Sequence, residues 1–238
     1  MDTNIAIITD IHGNDAALEA VLDDINRQPI SHIYCLGDLL GIGYQSNEVL
    51  QRLTTRQGVT FVKGNHDQAI LDIWNGKEPE SEGKEKVHHQ WIAKNVDPSF
   101  QSFLEGMPME QYAEYNGKTF LFRHYHLDKN LRFLPIDPEP SSNKLDQVYE
   151  NVEADVVLFG HHHILHHFKS NQRLYVNPGS LGCSYQAKAP YACITIKADG
   201  GIDVCLKEVP YNQDAFIKGF EERKVPDRES ILRIFYGQ

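Results

Sequence analysis

Cysteine is scarce, with four in 238 residues, and none of the four stands in a C-x-x-C pair or another short metal-binding spacing. That excludes a disulfide-stapled scaffold and a thiolate zinc module. Cys35 lies in the apolar run Ile33–Leu36, and Cys193 and Cys205 lie in strand-like alternations. They read as buried free thiols of a reducing compartment. Long apolar runs are absent too, so no segment approaches the length of a membrane span. The opening MDTNIAIITD has no basic n-region and reads as a first core strand, which makes a cytoplasmic location the expectation. Dense Lys/Arg runs are missing, and the net charge is −10. A nucleic acid partner is therefore not expected. A phosphate-bearing substrate stays open, because bound divalent cations would be the largest local positive charges. Internal repeats and low-complexity tracts are also absent.

Histidine is plentiful by contrast. There are 12, and His161, His162, His163, His166 and His167 fall within seven residues. Imidazole is the side chain most often recruited for metals and proton transfer. The length suits one domain, and 41% apolar residues with 24% charged is ordinary for a soluble enzyme.

Read in order, Asn4–Thr9 is a buried strand, and Asn14–Arg27 is a helix with an apolar stripe at Ala17, Leu18, Val21, Leu22 and Ile25. His32–Leu36 is a second strand, Ser46–Leu53 a helix, and Val59–Val62 a third strand. This alternation predicts an α/β layered domain. Gln68–Trp74, Lys84–Asn95 and Pro98–Gly106 read as helices, so residues of about 68–108 form a small helical cap. Gln111–Tyr115 and Lys118–Phe122 form a hairpin around Asn116-Gly117. After a proline-bearing loop come a helix at Asn143–Val152 and a strand at Asp155–Phe159. Ile164–Lys169, Arg173–Val176, Tyr191–Lys197 and Ile202–Val209 follow as strands. Two helices close the chain at about 211–238. The whole, 1–238, reads as one domain. Its last helices either pack on the core or support a homodimer.

Five of these strands end in metal-liking residues: Asp10/His12, Asp38, Asn65/His66, His124 and His161/His163. In layered α/β folds functional groups collect at the carboxyl ends of strands, so residues 150 positions apart in the chain can meet at one spot. Carboxylate, imidazole and amide donors without thiolate argue against a soft structural site. Seven ligands are too many for one ion and suit two, roughly 3.5–4 Å apart and clamping a transferring phosphoryl group. One carboxylate has to bridge such a pair. Asp38 is the candidate, since it stands alone between the ligand pairs. Manganese or iron suit these donors, with zinc and nickel left open.

Asp10-Ile11-His12, Gly37-Asp38, Gly64-Asn65-His66-Asp67, His124 and Gly160-His161-His162-His163 resemble the five blocks of the calcineurin-like metallophosphoesterase superfamily. Asn177-Pro178-Gly179-Ser180 resembles bacterial members. The resemblance implies a four-layer α-β-β-α sandwich, two mixed sheets flanked by helices. It implies that Asp10, His12 and His163 hold one metal, that Asn65, His124 and His161 hold the other, and that Asp38 bridges. It further implies that His66 protonates the leaving oxygen and that Asp67 fixes the tautomer of that imidazole. A second aspartate followed by arginine and glycine, found after the bridging residue in serine/threonine phosphatases and symmetrical diadenosine tetraphosphatases, is missing from Gly37-Asp38-Leu39-Leu40-Gly41. Asp67 stands where that branch has glutamate. Both differences point to the bacterial phosphodiesterase-like branch. The fourth block departs from the usual His-Gly. Tyr125 replaces the glycine, and His126 becomes an alternative ligand or substrate contact, with His124 favoured by strand register.

Four smaller readings complete the site. His162, His166 and His167 are expected off it, the last two on a strand surface. His88 and His89 are expected on a solvated face of the cap, or with one facing substrate. Arg123 is either a phosphate contact or structural. Tyr44, Tyr185 and Gln186 are candidates for lining the pocket, and Trp74 and Trp91 offer a stacking surface for a base.

The expected activity is hydrolysis of a small phosphoester, a phosphodiester first. A bridging water, acidified to a pKa of about 7, would attack phosphorus in line, and His66 would supply the leaving-group proton. Hydrolysis of a dinucleoside polyphosphate such as diadenosine tetraphosphate is the alternative. A partner-binding scaffold ranks lower, because every expected site residue is present. A DNA repair nuclease ranks lower still, because the chain is short and acidic.

Overall fold

The computed structural model describes residues 1–238. The first strands are β1 (Thr3–Ile8), β2 (His32–Cys35) and β3 (Val59–Phe61), with helices α1 (Asp15–Asn26) and α2 (Ser46–Thr54) between them. Helices α3 (Asn65–Trp74), α4 (Gly83–Asn95) and α5 (Gln101–Gly106) follow. The hairpin β4 (Glu110–Tyr115) and β5 (Lys118–Arg123) comes next, then α6 (Ser142–Val148), β6 (Val156–Leu158), β7 (His166–Lys169) and β8 (Leu174–Asn177). The chain ends with β9 (Lys188–Ile196), β10 (Ile202–Pro210), α7 (Gln213–Glu222) and α8 (Arg228–Tyr236).

The strands make two sheets, ordered β10-β9-β1-β2-β3 and β4-β5-β6-β8-β7. Within the first, β1, β2 and β3 run parallel, and β9 lies antiparallel to both β1 and β10. Within the second, β5, β6 and β8 run parallel between the antiparallel edges β4 and β7. Successive side chains of a strand point to opposite faces, and β1 shows the consequence. Ile5 and Ile7 meet Phe120, Phe122, Val156 and Leu158 between the sheets, where Tyr34 stacks on Phe122 at 3.6 Å. Ala6 and Ile8 turn outward onto Ala17, Leu18 and Val21 of α1. Leu121, Val157 and Tyr175 likewise leave the second sheet to pack under Leu145 of α6. The result is the four-layer α-β-β-α sandwich of mixed sheets. No helix is long and apolar enough to cross a membrane.

Asn14 caps α1 by accepting the Ala17 amide at 3.1 Å. The insertion between β3 and β4 is not a detached lid: Ile92, Ala93 and Leu104 join the cluster on the outer face of the first sheet. Phe216, Phe220, Ile231 and Tyr236 of α7 and α8 close over Ile42 and Cys183, so the last two helices pack on the chain's own loops.

Some expected boundaries and exposures differ. The helix expected over Asn143–Val152 stops at Val148, and residues 161–165 are loop, with strand only from His166. β9 begins at Lys188, three residues early, because it pairs with β10 along nine positions. Cys205 is exposed, since β10 is an edge strand. His88, His89 and His166 are buried where surface positions were expected.

His88 packs on Trp91, with ring centroids 6.2 Å apart, and its ring nitrogens make no hydrogen bond of normal geometry. Burial and the neighbouring His89 push its pKa down to about 4, while the Pro226 carbonyl and Asp227 oppose them. The folded chain leaves His88 neutral at a pH where the unfolded chain, with a histidine pKa of about 6.5, has bound a proton. Stability from this residue is therefore lost as the pH falls from about 6.5 toward 4. Denaturant unfolding across that range should show a flatter acid limb for His88→Leu than for the parent chain, with no loss of stability at neutral pH.

Candidate metal centre

The parallel strands deliver their carboxyl ends to one rim of the sandwich. β1 leads into Asp10 and His12, β2 into Asp38, β3 into Asn65, β5 into His124 and β6 into His161 and His163. Neighbouring loops are stitched together by backbone bonds, among them Asp10 N to Gly37 O at 3.1 Å, His12 N to Asp38 O at 2.9 Å and Gly160 N to His124 O at 2.8 Å. Asp10, His12, Asp38, His161 and His163 all have positive φ, between 49° and 67°. Asp and His enter this left-handed region more readily than most residues, yet it still costs on the order of 1–3 kcal/mol at each position. Two glycines make the close approach possible. A Cβ on Gly64 would lie 2.1 Å from Asp38 Oδ1, and one on Gly160 would lie 2.0 Å from Thr9 Oγ1.

The donor atoms fall into two groups. In the first, His12 Nε2 lies 2.9 Å from His163 Nε2 and 3.7 Å from Asp10 Oδ1, which is 3.4 Å from His163 Nε2. In the second, His124 Nε2 lies 3.0 Å from Asn65 Oδ1 and 3.2 Å from His161 Nδ1. Asp38 Oδ2 belongs to both, 3.7 Å from His12 Nε2 and 3.2 Å from His124 Nε2. Donors about 2.1 Å from a cation are separated by about 3.0 Å at right angles and about 3.4 Å in a tetrahedron. The residues present fit divalent cations on donor chemistry and spacing.

The outer contacts aim these atoms. The Nδ1–H of His12 donates to Leu40 O at 3.1 Å, and that of His124 donates to Leu36 O at 2.7 Å. Each leaves Nε2 facing its donor group. Asp10 Oδ2 accepts the Thr9 hydroxyl at 2.8 Å and the His161 amide at 2.9 Å; the same amide reaches Oδ1 at 3.2 Å, and Oδ1 is the oxygen that faces the first group. Asp38 Oδ1 accepts the His66 amide at 2.9 Å, which frees Oδ2.

Charge is arranged accordingly. Burial pushes His12 and His161 down to about 4, which keeps them neutral. Burial would raise Asp10 and Asp38, but their histidine neighbours hold both carboxyls below the usual carboxylate range. For His124, burial acts downward and the Asp38 carboxylate overcomes it, lifting the imidazole to about 9. A cation at this position has to displace that proton.

Several expected residues do something else. Asp67 does not touch the His66 ring. It sits in the first turn of α3 and accepts four backbone amides: Asp38 N at 2.9 Å, Leu39 N at 3.0 Å, Leu40 N at 3.1 Å and Gly64 N at 3.0 Å. Burial and the Asp38 carboxylate push it up to about 7 against those donors. Asp67 is a latch between the loop after β2 and the start of α3. His126 turns away from the donor groups and meets the Tyr149 hydroxyl at 2.7 Å. Tyr125, in place of a glycine, is buried with its ring centroid 4.7 Å from that of His161. Arg123 is structural, paired with Glu110 and lying over the Tyr149 ring. His162 pairs with His166 at 3.0 Å, away from the donors. Tyr44 donates to Phe216 O at 2.9 Å and anchors α7. Trp74 Nε1 donates to Ala93 O at 2.8 Å, so Trp74 serves packing, and Trp91 packs against the same core and on the His88 ring.

Two residues at the site escaped the sequence reading. Phe133 packs edge-on to His124, ring centroids 5.6 Å apart, and lines a cavity of about 360 Å³ with Asn65, His89 and Arg132. Its only sequence signal was an aromatic in a proline-bearing loop. Cys183 joins His12 and His163 with no spacing to reveal it, and burial pushes its thiol up to about 12. A second cleft, of about 770 Å³, runs from His163 past Tyr185 and Phe235.

Residues 3–199 match the calcineurin-like phosphoesterase superfamily domain. The chain belongs to that superfamily. It is a metallophosphoesterase, a hydrolase of phosphate esters in a metal-dependent family. The phosphoesterase is 30% identical over 232 residues to an uncharacterized protein of Methanocaldococcus jannaschii, covering 86% of this chain and 87% of that one. Over 71 residues, 29% of this chain and 25% of the other, it is 41% identical to a symmetrical bis(5'-nucleosyl)-tetraphosphatase of Paracidovorax citrulli. Its fold is similar to that of a hypothetical protein from Pyrococcus horikoshii OT3, at 20% identity, 99% of each chain and a TM-score of 0.82. A metallophosphoesterase from Sphaerobacter thermophilus is similar at 21% identity, 97% and 96% of the chains and a TM-score of 0.73.

The latch role of Asp67 has a thermodynamic signature. Truncation strands buried amide donors, each costing about 1–3 kcal/mol. Asp67→Ala should lower the unfolding free energy of the metal-free phosphoesterase by at least about 3 kcal/mol, read by urea denaturation. An aspartate that only oriented a catalytic imidazole would leave that value nearly unchanged.

Proposed function

We propose that the phosphoesterase uses two divalent cations, manganese or iron, to hydrolyse a small phosphodiester. Asp10, His12 and His163 hold one cation, Asn65, His124 and His161 hold the other, and Asp38 is shared. The observation that carries this reading is the position of Asp38 Oδ2, within 3.7 Å of a donor from each group. Bound there, the cations supply an acidified water and neutralise charge on the phosphoryl oxygens.

The chain's own part is positioning and proton transfer. The Leu40 and Leu36 carbonyls keep His12 and His124 in one tautomer each. Thr9 and the His161 amide hold Asp10, and the His66 amide holds Asp38, so neither carboxylate reorganises during turnover. His66 stands at the mouth with Nε2 4.0 Å from Asp38 Oδ2, beyond hydrogen-bonding distance and open to substrate. Its imidazolium form, protonated on both ring nitrogens, gives the Nε2 proton to the leaving oxygen and ends as a neutral ring; burial, which pushes its pKa well below the usual histidine range, makes it the stronger acid for that step. That role favours esters over anhydrides: an alkoxide is a poor leaving group and needs the proton, whereas a phosphate does not.

A second reading is hydrolysis of a dinucleoside polyphosphate. Phe133 supports it with an aromatic face beside the donors, while the short likeness to a symmetrical bis(5'-nucleosyl)-tetraphosphatase comes without the Asp-Arg-Gly that marks that branch.

Manganese-loaded protein assayed on thymidylyl-thymidine and on diadenosine tetraphosphate, with products identified, separates the two. Faster cleavage of the diester is expected. His66→Ala should keep its metal and lose about 10²–10⁴ in kcat on that diester. Cleavage of the tetraphosphate alone, or full diester activity in His66→Ala, contradicts the primary reading.

A further inference from the structure

His66 needs a partner on its second nitrogen, and Asp67 is committed to four amides. The partner comes from the helical insertion. His66 Nδ1 lies 2.7 Å from His89 Nε2, with the two rings nearly perpendicular at 71°. His89 is 1% exposed, and its Nδ1 lies 2.8 Å from Ser81 Oγ in the segment before α4. His12 and Gly41 form two more walls around His66. The His12 ring stands edge-on, 4.9 Å between centroids, and Gly41 comes so close that a Cβ there would lie 2.6 Å from His66 Nδ1. On the open side, Asp38 Oδ2 and Glu85 Oε1 are each 4.0 Å from Nε2, too far to hydrogen-bond.

We propose that His89, itself anchored by Ser81, is the positioning residue of His66, doing through a buried imidazole what an aspartate next in sequence was expected to do. With Nδ1 tied to His89, the ring cannot flip, and Nε2 is the one nitrogen presented to a leaving oxygen. For the proton transfer the shared proton has to sit on His66 Nδ1 and point at His89 Nε2: the imidazolium then gives up its Nε2 proton and ends as a neutral ring, whereas the opposite direction would leave an imidazolate. His89 Nδ1–H then donates to Ser81 Oγ. The insertion is thereby part of the reaction apparatus: α4 carries His89, and Ile92 and Ala93 on the same helix anchor it in the core. The inference rests on the role given to His66 above.

The test compares a substrate with a poor leaving group, thymidylyl-thymidine, with one that has a good leaving group, bis-p-nitrophenyl phosphate. Full-length manganese-loaded His89→Leu, His89→Gln and Ser81→Ala are measured beside His66→Ala, with metal content and melting temperature determined for each. His89→Leu should lower kcat on the dinucleotide at least about tenfold and on the nitrophenyl ester less than about threefold, with KM little changed. His89→Gln, whose amide can donate or accept, should regain most of the loss. Ser81→Ala, which leaves the core untouched, should show the same selectivity in weaker form. Combining His89→Leu with His66→Ala should add nothing to His66→Ala alone. Equal losses on both substrates, no rescue by glutamine, or additive losses in the double variant overturn the positioning role while leaving the function of His66 intact. Full activity of His66→Ala on the dinucleotide overturns the parent reading and this inference with it.

Discussion

Imidazole, carboxylate and amide donors crowded to 3–4 Å in a largely buried space set the terms for the rest of this molecule. Lone pairs and negative oxygens at such distances repel one another, and burial removes the water that would relieve them. Against that repulsion the Asp38 carboxylate, 3.2 Å from His124 Nε2, lifts the imidazole to about 9 and so favours a proton there. The surrounding chain holds an arrangement that its own side chains would not choose. Five of the donors hang from left-handed backbone. Gly64 and Gly160 let main chain pass where a methyl group would collide with Asp38 or Thr9. Asp67 ties four amides of two loops into one unit.

The sandwich makes that rigidity possible. Each sheet contributes three adjacent parallel strands, so their ends open on the same rim. The apolar layer between the sheets, with Tyr34 stacked on Phe122, fixes the two rims relative to each other. His12 and Asp38 come from one sheet, His124 and His161 from the other. A shift of one sheet by an ångström would split both donor groups, because His163 joins His12 across the sheets and His124 joins Asn65 across them. Packing in the middle of the molecule thus reaches the site through strand ends, without a long relay of side chains.

The parts of this design that were legible in the sequence are those carried by short-range pattern. Apolar runs ending in Asp10, Asp38, Asn65, His124 and His161 marked both the strands and the rim, because a buried strand and the loop leaving it are contiguous. The direction in which a side chain turns after the strand ends is not contiguous information. Asp67 follows His66 in the chain, yet the start of α3 aims its carboxylate back at backbone amides. His89 lies 23 positions beyond His66, and only the packing of α4 brings the two rings together. His126 resembled a spare ligand because it is two residues from His124. Strand alternation would place both on one face, but the chain has left β5 by then, and His126 turns into the aromatic layer beneath α6. Buried histidines such as His88 and His166 looked like surface residues because polarity was read without knowledge of what covers them.

The shared carboxylate is the claim on which the rest turns, and counting metals with a distance-sensitive signal tests it most directly. Metal-free protein can be titrated with manganese and followed by electron paramagnetic resonance, with total bound metal measured on the same samples. Two manganese ions per chain with an exchange-coupled spectrum is the result expected from donor groups joined at Asp38. One ion per chain, or two ions with independent spectra, would contradict it.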